Sequence, residues 1–485
     1  MPEGGRPEEG GLRLDRREIN CYHGFMEEAE QTGGEKRDTG VATLWFSCNY
    51  GAILTSYALY RVLEEMGKRP VLLDYAPLMG PKGKGAPGDS ISVSFMKRHG
   101  ICCTEPLERD DDFNALNDRL DTFVIGSDQV WRWLYTKRYG YAFFLDYVRG
   151  ERRKVAYASS FGIDRDERPE ESLAKARQYL QAFDAVSVRE RSGVDILRDA
   201  YGVEGECVLD PVFLCGREAY DRLTVQLPQE EEPYILSYVL EPKSGIHRHI
   251  AALAKERGLK VVNIVDAQRD AAEWASCFEC GEVAADVTPE RWLHYIRHCE
   301  FFVTDSFHGV CYALIYNRPF VCVAPPERGL ARFESILSTV GLRRCLLPLD
   351  CGEAEWQEAL RPIDWEAVNT ALNAERERST QWLRTALTAP RAAEREELGS
   401  RLHASLYAGS GAKDRYPEME ARLAGSRTSC TKSLVLQAKF LKAAYVILAR
   451  LTPGATAKSF WRKAGQMKLF IHYLSIRNTG QTHGM

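Results

Sequence analysis

From Val41 onward, short apolar runs alternate with stretches whose apolar residues recur three and four positions apart. VATLWFS (Val41–Ser47) is a run of strand formers ending at the turn-like Cys48-Asn49-Tyr50-Gly51. Leu54, Ala58, Leu59, Val62, Leu63 and Met66 then trace a helical stripe closed by Gly67, and VLLDY (Val71–Tyr75) is a second strand. A strand, a helix and a strand in succession predict parallel pairing, because a parallel connection must cross back over the sheet. TFVIG (Thr122–Gly126), KVAYASS (Lys154–Ser160), AVSVR (Ala185–Arg189) and CVLDP (Cys207–Pro211) continue the series as buried strands, with a helix over Ser192–Tyr201.

QLPQEEEP (Gln226–Pro233) interrupts the pattern and marks a domain boundary. A second series follows: YILSYVL (Tyr234–Leu240), a helix near His247–Arg257, KVVNIV (Lys260–Val265), a helix over Pro289–His298, FFVTDS (Phe301–Ser306) and PFVCVAP (Pro319–Pro325). Thr288-Pro289 reads as an N-cap with proline at the first helical position. The expected fold is α/β, with two Rossmann-like domains, 41–225 and 226–350, facing a cleft. Residues 351–390, which carry Trp356, Trp365 and Trp382, predict helices packing across the two domains. Residues 1–40 hold 10 acidic and 6 basic residues among many glycines; they predict disorder, apart from a short ordered piece around Ile19–Met26. Residues 391–485 predict a basic helical extension.

The 485 residues allow two domains plus such extensions, and 45% hydrophobic against 27% charged residues excludes a chain disordered throughout. The net charge of −4 excludes a uniformly basic nucleic-acid binder, so no nucleic-acid partner is expected. Charge is uneven, however. Residues 421–485 hold eleven Lys or Arg and no Asp or Glu, leaving 53 basic against 68 acidic residues, a net −15, in residues 1–420. In TKSLVLQAKFLKAAYVILARL (Thr431–Leu451), helical winding gathers Lys432, Lys439, Lys442 and Arg450 into an arc of roughly 80°, opposite Leu434, Leu441, Tyr445 and Leu448. KSFWRKAGQMKLFIHYLSIR (Lys458–Arg477) is a second basic and aromatic stretch. Both suit an interfacial helix on an anionic membrane surface; a helical hairpin closing on the protein, or a partner-binding helix, are the alternatives. Loss of anionic-liposome binding on deletion of residues 425–485 is the mark of the first.

No apolar run approaches 18 residues, so no spanning helix is expected. The 14 cysteines are scattered; Cys311 and Cys322 lie in apolar runs, and Cys102 and Cys103 are adjacent. With no apolar signal core in MPEGGRPEEGG, they predict free thiols in a reducing cytoplasm. Cys277 and Cys280 form one CxxC pair with no second pair or HxxxH at zinc spacing, so loop thiols are expected rather than a metal site.

In open parallel sheets, ligands bind beyond the carboxyl ends of the strands. Polar residues gather there: Asn49, Tyr50 and Gly51 after the first strand; Ser127, Asp128 and Gln129 after TFVIG; Ser159, Ser160, Phe161 and Gly162 after KVAYA; Arg189, Glu190 and Arg191 after AVSV. In the second half stand Asp305-Ser306-Phe307-His308-Gly309, then Arg328 and Arg332. Each has a plain structural reading. Asn49 suits a helix cap, Asp128 a cap or an arginine partner, His308 a satisfied core histidine, and Glu190 balances Arg189 and Arg191 as solvated charge. Gathered at nearly every strand exit, they point to a ligand cleft.

NYGAILTSYAL (Asn49–Leu59), FVIGSDQVW (Phe123–Trp131), KVAYASSFG (Lys154–Gly162), VSVRERSG (Val186–Gly193), VLDPVFL (Val208–Leu214), VTDSFHG (Val303–Gly309) and ARFESIL (Ala331–Leu337) occur in that order. Together they resemble the polysaccharide pyruvyltransferase family over about Val41–Leu342. The resemblance implies a GT-B-like pair of domains. It also implies a reaction in which phosphoenolpyruvate and two sugar hydroxyls give a cyclic pyruvate ketal and phosphate. The acceptor would be a cell-surface glycan or a lipid-linked oligosaccharide precursor, met in the cytoplasm or at the inner face of the membrane.

That chemistry asks for an acid, a base and cations for a phosphate and a carboxylate; phosphoenolpyruvate is the donor substrate and no cofactor or metal is implied. Arg189, Arg191, Arg328 and Arg332 are the candidate cations, joined by backbone N–H groups at the helix starts Gly51 and Gly309. The family's histidine falls on His308, which at a helix start fits a general base better than an acid, with Asp128 as its partner or as an acceptor binder. Asn49, Tyr50, Ser127, Gln129, Ser159 and Ser306 complete the expected substrate contacts. The rival readings are a GT-B glycosyltransferase using a nucleotide sugar and a non-catalytic family member that binds a glycan or scaffolds an assembly.

Overall fold

The structure is a computed structural model that describes residues 36–391 apart from 80–89, 226, 228–231, 241–245, 267–273, 276 and 285. The expectations for the N-terminal segment before residue 36, most of the Gln226–Pro233 bridge and the basic extension lie outside the described residues.

Thirteen strands form two sheets, and every recorded pairing is parallel. The first comprises β1 (Thr39–Ala42), β2 (Pro70–Asp74), β3 (Cys103–Pro106), β4 (Thr122–Ile125), β5 (Arg153–Ser159), β6 (Ala185–Val188) and β7 (Glu206–Cys207). The second comprises β8 (Tyr234–Tyr238), β9 (Lys260–Asn263), β10 (Glu282–Val283), β11 (Phe301–Thr304), β12 (Phe320–Val323) and β13 (Leu346–Leu347). Their spatial orders are β3-β2-β1-β4-β5-β6-β7 and β10-β9-β8-β11-β12-β13. Each order runs outward in both directions from its first strand, so each half is Rossmann-like, with a switch point beside β1 in one and β8 in the other. Strands covered on both faces must be apolar throughout, which is why β1, β4, β11 and β12 are buried at every position.

Six helices position the cleft: α1 (Tyr50–Glu65), α2 (Arg191–Ile196), α3 (Pro289–His298), α4 (Phe307–Tyr316), α5 (Ala331–Thr339) and α6 (Trp365–Thr388). α1 follows β1, and α4 follows β11, each capped at its start. α6 returns to the first half: Ser379 accepts a hydrogen bond from the Leu209 N–H at 2.9 Å, the Ala386 carbonyl accepts from Arg153 at 3.0 Å, and Trp382 meets Tyr157. Trp356 precedes it on the short helix Glu353–Ala359 and stays with the second half, buried and stacked on His249. Two Rossmann-like halves with a terminal helix crossing back make a GT-B-like arrangement.

Some element ends differ from the sequence expectation. β1 ends at Ala42, and the Ser47 N–H closes a turn onto the Leu44 carbonyl. There Trp45 leaves the strand line to donate its indole N–H to the Leu73 carbonyl at 2.9 Å. The strand expected over Cys207–Pro211 stops at Cys207, and the helix expected over Ser192–Tyr201 begins at Arg191 and changes to a π turn at Leu197–Tyr201. Among the described residues no helix is long and apolar enough to cross a membrane, and the twelve described cysteines are free thiols.

Candidate active site

The loops at the strand exits of the two halves touch one another. α4 starts where Ser306 caps it, accepting the Gly309 N–H at 3.3 Å. Gly309 packs tightly on the preceding strand, since a Cβ there would lie 2.7 Å from Thr304 Oγ1. Ser306 and Gly309 thus shape the turn that delivers His308. From the other half, the first turn of α1 comes so close that a Cβ on Gly51 would lie 2.2 Å from His308 Nδ1. His308 is 5% exposed, yet its surroundings are polar: Nε2 lies 3.7 Å from Asp210 Oδ2 and 3.5 Å from Arg189 Nη1.

Arg189, at the exit of β6, is the hub. It donates to Asp210 at 2.7 Å, to Asp128 at 3.0 Å and to Ser127 Oγ at 3.3 Å. Ser127 in turn donates to Asp210 at 2.6 Å, and Thr55 of α1 donates to the other Asp210 oxygen at 2.8 Å. Burial works to raise both carboxylates. Arg189 and then His308 outweigh it at Asp128, and His308, Arg189 and Ser127 outweigh it at Asp210, so both sit below the usual carboxylate range. Asp128 has φ +79°, the left-handed region that residues other than glycine adopt uncommonly, Asp and Asn more readily than most. Here the Gln129 N–H bonds to its carboxylate at 2.8 Å and the Ser160 N–H to its carbonyl at 3.0 Å.

Arg332, in the first turn of α5, is different. It is 4% exposed and donates only to the carbonyls of Gly162 and Arg328, both at 3.4 Å. Among the described residues no carboxylate comes within ion-pair reach of it, and its buried Nε has no partner. Burial, and next the charge of Arg189, pull its pKa down to about 10. Arg189 and Arg332 both lie over the Phe307 ring, 4.6 and 5.7 Å from its centroid. Asp128 and Glu190 favour its charge from beyond ion-pair distance, but a buried guanidinium without a direct counter-ion is costly.

The remaining expected residues divide. Ser159 is buried and donates to the Gly126 carbonyl, so it shapes the turn before Ser127. Gln129 is held by Arg132 at 3.1 Å. Asn49 caps α1, accepting the Ala52 N–H, and donates to Asp266 of the second half at 3.3 Å. Tyr50 is buried, stacks on Trp292 and spends its hydroxyl on the Val287 carbonyl, a packing role across the halves. Arg328 is one-third exposed and lies 3.6 Å from Asp305. Arg191 stands apart on α2, facing Thr339 of α5 at 3.4 Å. The structure therefore brings His308, Asp128, Arg189, Ser127 and Arg332 together and leaves Tyr50 and Arg191 outside that cluster.

Asp210 and Glu190 are members that sequence reasoning missed. Asp210 was legible only inside VLDPVFL, as the end of an expected strand. Because β7 stops at Cys207, Asp210 stands in the loop beyond it and caps the following turn by accepting the Val212 N–H. Glu190 does not balance its neighbours in solvent. It is buried and accepts the N–H groups of Phe161 and Gly162 at 2.6 and 3.2 Å, fixing the loop that Arg332 touches. Among the described residues no three His, Cys, Asp or Glu side chains converge to hold a metal.

Known proteins give the chain its relatives. No curated protein matches it in sequence. Among solved structures, an S. aureus MnaA–UDP co-structure is 12% identical, covering 70% of this chain and 91% of that one with a TM-score of 0.45. A Methanocaldococcus jannaschii UDP-GlcNAc 2-epimerase bound to UDP-GlcNAc and UDP is also 12% identical, covering 73% and 99% with a TM-score of 0.43. At these values they bear on neither substrate nor reaction. The family model for polysaccharide pyruvyl transferase matches residues 49–326, which is more than half the chain and includes Ser127, Asp128, Arg189, Asp210 and His308 but ends before Arg332. The chain belongs to the polysaccharide pyruvyl transferase family.

Proposed function

We propose that this enzyme moves the pyruvyl group of phosphoenolpyruvate onto two hydroxyls of a sugar in a cell-surface glycan or its lipid-linked precursor. The observation that carries the reading is Arg332, a buried guanidinium with no carboxylate partner, set beside Arg189 and His308. Phosphoenolpyruvate supplies what that arrangement lacks, a compact phosphate and carboxylate on three carbons. Forked arginine donors suit both groups.

The donor's methylene carbon accepts a proton, leaving an oxocarbenium-like carbon that one sugar hydroxyl attacks. The carbon–oxygen bond to phosphate then breaks, and the second hydroxyl closes the ketal. Of the two hydroxyl protons, one balances the new methyl group and the other leaves with phosphate. His308 takes the hydroxyl proton, and Asp210, 3.7 Å from Nε2, steadies the imidazolium that results. Asp128 and Asp210 both sit below the usual carboxylate range, so they are weak bases and the proton stays on the imidazole. Arg332 and Arg189 stabilise the negative charge on the departing phosphate.

The experiment adds phosphoenolpyruvate to the full-length enzyme with a panel of free and lipid-linked glycans. The expected product releases one phosphate per acceptor and gains the mass of pyruvate less one water. Release of a nucleotide from a nucleotide sugar, with phosphoenolpyruvate inert, contradicts the reading in favour of glycosyl transfer; failure to bind phosphoenolpyruvate at all favours a non-catalytic glycan binder.

A further inference from the structure

Arg189, Asp210 and Phe307 also line a cavity of about 300 Å³. Arg189 and Asp210 border His308, so the cavity lies next to the reacting end of the site. Arg189 lines it with a side chain only 1% exposed, and its Nε has no hydrogen-bond partner. A buried donor of this kind is unsatisfied until a ligand oxygen meets it.

Arg191 of α2, Ser335 and Thr339 of α5, and Glu375 and Arg378 of α6 line the same cavity. Their charges are unequally spent. Arg378 is held by Glu375 at 2.7 Å and by Glu206 at 3.5 Å. Ser335 accepts the Arg191 N–H. The Arg191 guanidinium, by contrast, stands at the exposed side of the cavity with only the Thr339 hydroxyl at 3.4 Å and no carboxylate within ion-pair reach among the described residues. The volume is at the lower end for small-ligand pockets.

Resting on the pyruvyl-transfer reading, we propose that this cavity receives the acceptor and that the acceptor sugar carries an acidic group, a carboxylate or a phosphate, gripped by Arg191. The hydroxyls to be bridged then lie at the Arg189 and Asp210 end of the cavity, the end that borders His308. An arginine–anion contact of this type is worth about tenfold or more in affinity.

The test is saturation-transfer NMR on the full chain with methyl β-glucuronide, glucose 6-phosphate and methyl β-glucoside. At least one acidic probe should bind, with the neutral glucoside about tenfold weaker, and the pair of acidic probes tells carboxylate from phosphate. Arg191→Gln and the cavity-filling Thr339→Trp should each weaken the acidic probe about tenfold while phosphoenolpyruvate binding stays unchanged. Equal binding of acidic and neutral probes, no binding of any probe, or acidic binding that survives Thr339→Trp and is displaced by phosphoenolpyruvate overturns the proposal. Arg191→Gln keeps the proposal falsifiable where Thr339→Trp fails to fold. Sugar binding of the predicted kind without phosphoenolpyruvate-dependent phosphate release would instead refute the reaction and leave the cavity's assignment standing.

Discussion

Arg189 and Arg332 show how far a side chain's meaning depends on what stands around it. Both are buried arginines over the same phenyl ring, yet one is ion-paired with two carboxylates and the other, among the described residues, with none. The first organises the site; the second keeps its Nε without a partner. Arg332→Gln should therefore raise the KM for phosphoenolpyruvate at least tenfold while the ligand-free protein melts no lower than wild type, since a costly buried charge is removed. A fall in thermal stability with unchanged donor affinity would make Arg332 structural. His308, Arg189 and Asp128 were legible because strand exits are where parallel sheets expose function. Glu190 was not, because a carboxylate between two arginines looks the same in sequence whether it faces water or two backbone N–H groups. Arg191 sits two residues beyond Arg189 and falls on the other side of the same turn, a difference set by where α2 begins.

At the scale of elements, the alternation of apolar runs and helical stripes was enough to expect two parallel sheets. Helices with explicit end signals were read closely: Thr288-Pro289 opens α3 at Pro289, and its helix ends at His298. Ends decided by tertiary contacts were not legible. The aromatic run after β1 reads as strand, and only the Trp45 bond to Leu73 explains why it turns away. The contact of α1 with α4 is likewise invisible in sequence, although it fixes Gly51. Gly51→Ala places a methyl group where the imidazole lies, and a displacement of about 1 Å at a reacting group costs on the order of 10²-fold in rate. Turnover of Gly51→Ala should fall by about that factor with its circular dichroism unchanged; wild-type turnover would show that the position of His308 is unimportant.

Across the whole molecule, the halves are clasped at several points around the cleft. Gly329 has φ +86°, and a Cβ on it would fall 1.9 Å from the Gly162 carbonyl, so backbone meets backbone there. On another part of the seam, Arg98 forks onto Glu290 at 2.9 and 3.1 Å, and His99 meets it at 2.8 Å. Burial works to raise Glu290, but its bonds to His99, Thr288 and Arg98 bring it down to about 2. A carboxylate lowered on folding stabilises above its unfolded pKa of about 4.3 and loses that contribution as pH falls toward about 2. Glu290→Gln should cost about 1–2 kcal/mol in urea melts at pH 7, after allowance for solvent screening, and the difference from wild type should shrink at pH 3. A pH-independent difference would mean that the clasp is not ionic.

The most direct test of the central claim, that an imidazole and two buried arginines at the seam of two halves perform pyruvyl transfer, is acceptor-dependent phosphate release by His308→Ala. A placed proton-transfer group contributes about 10²–10⁴-fold. The variant should lose at least that lower factor in turnover while remaining folded and still binding phosphoenolpyruvate. Near wild-type turnover in the folded variant would contradict the account.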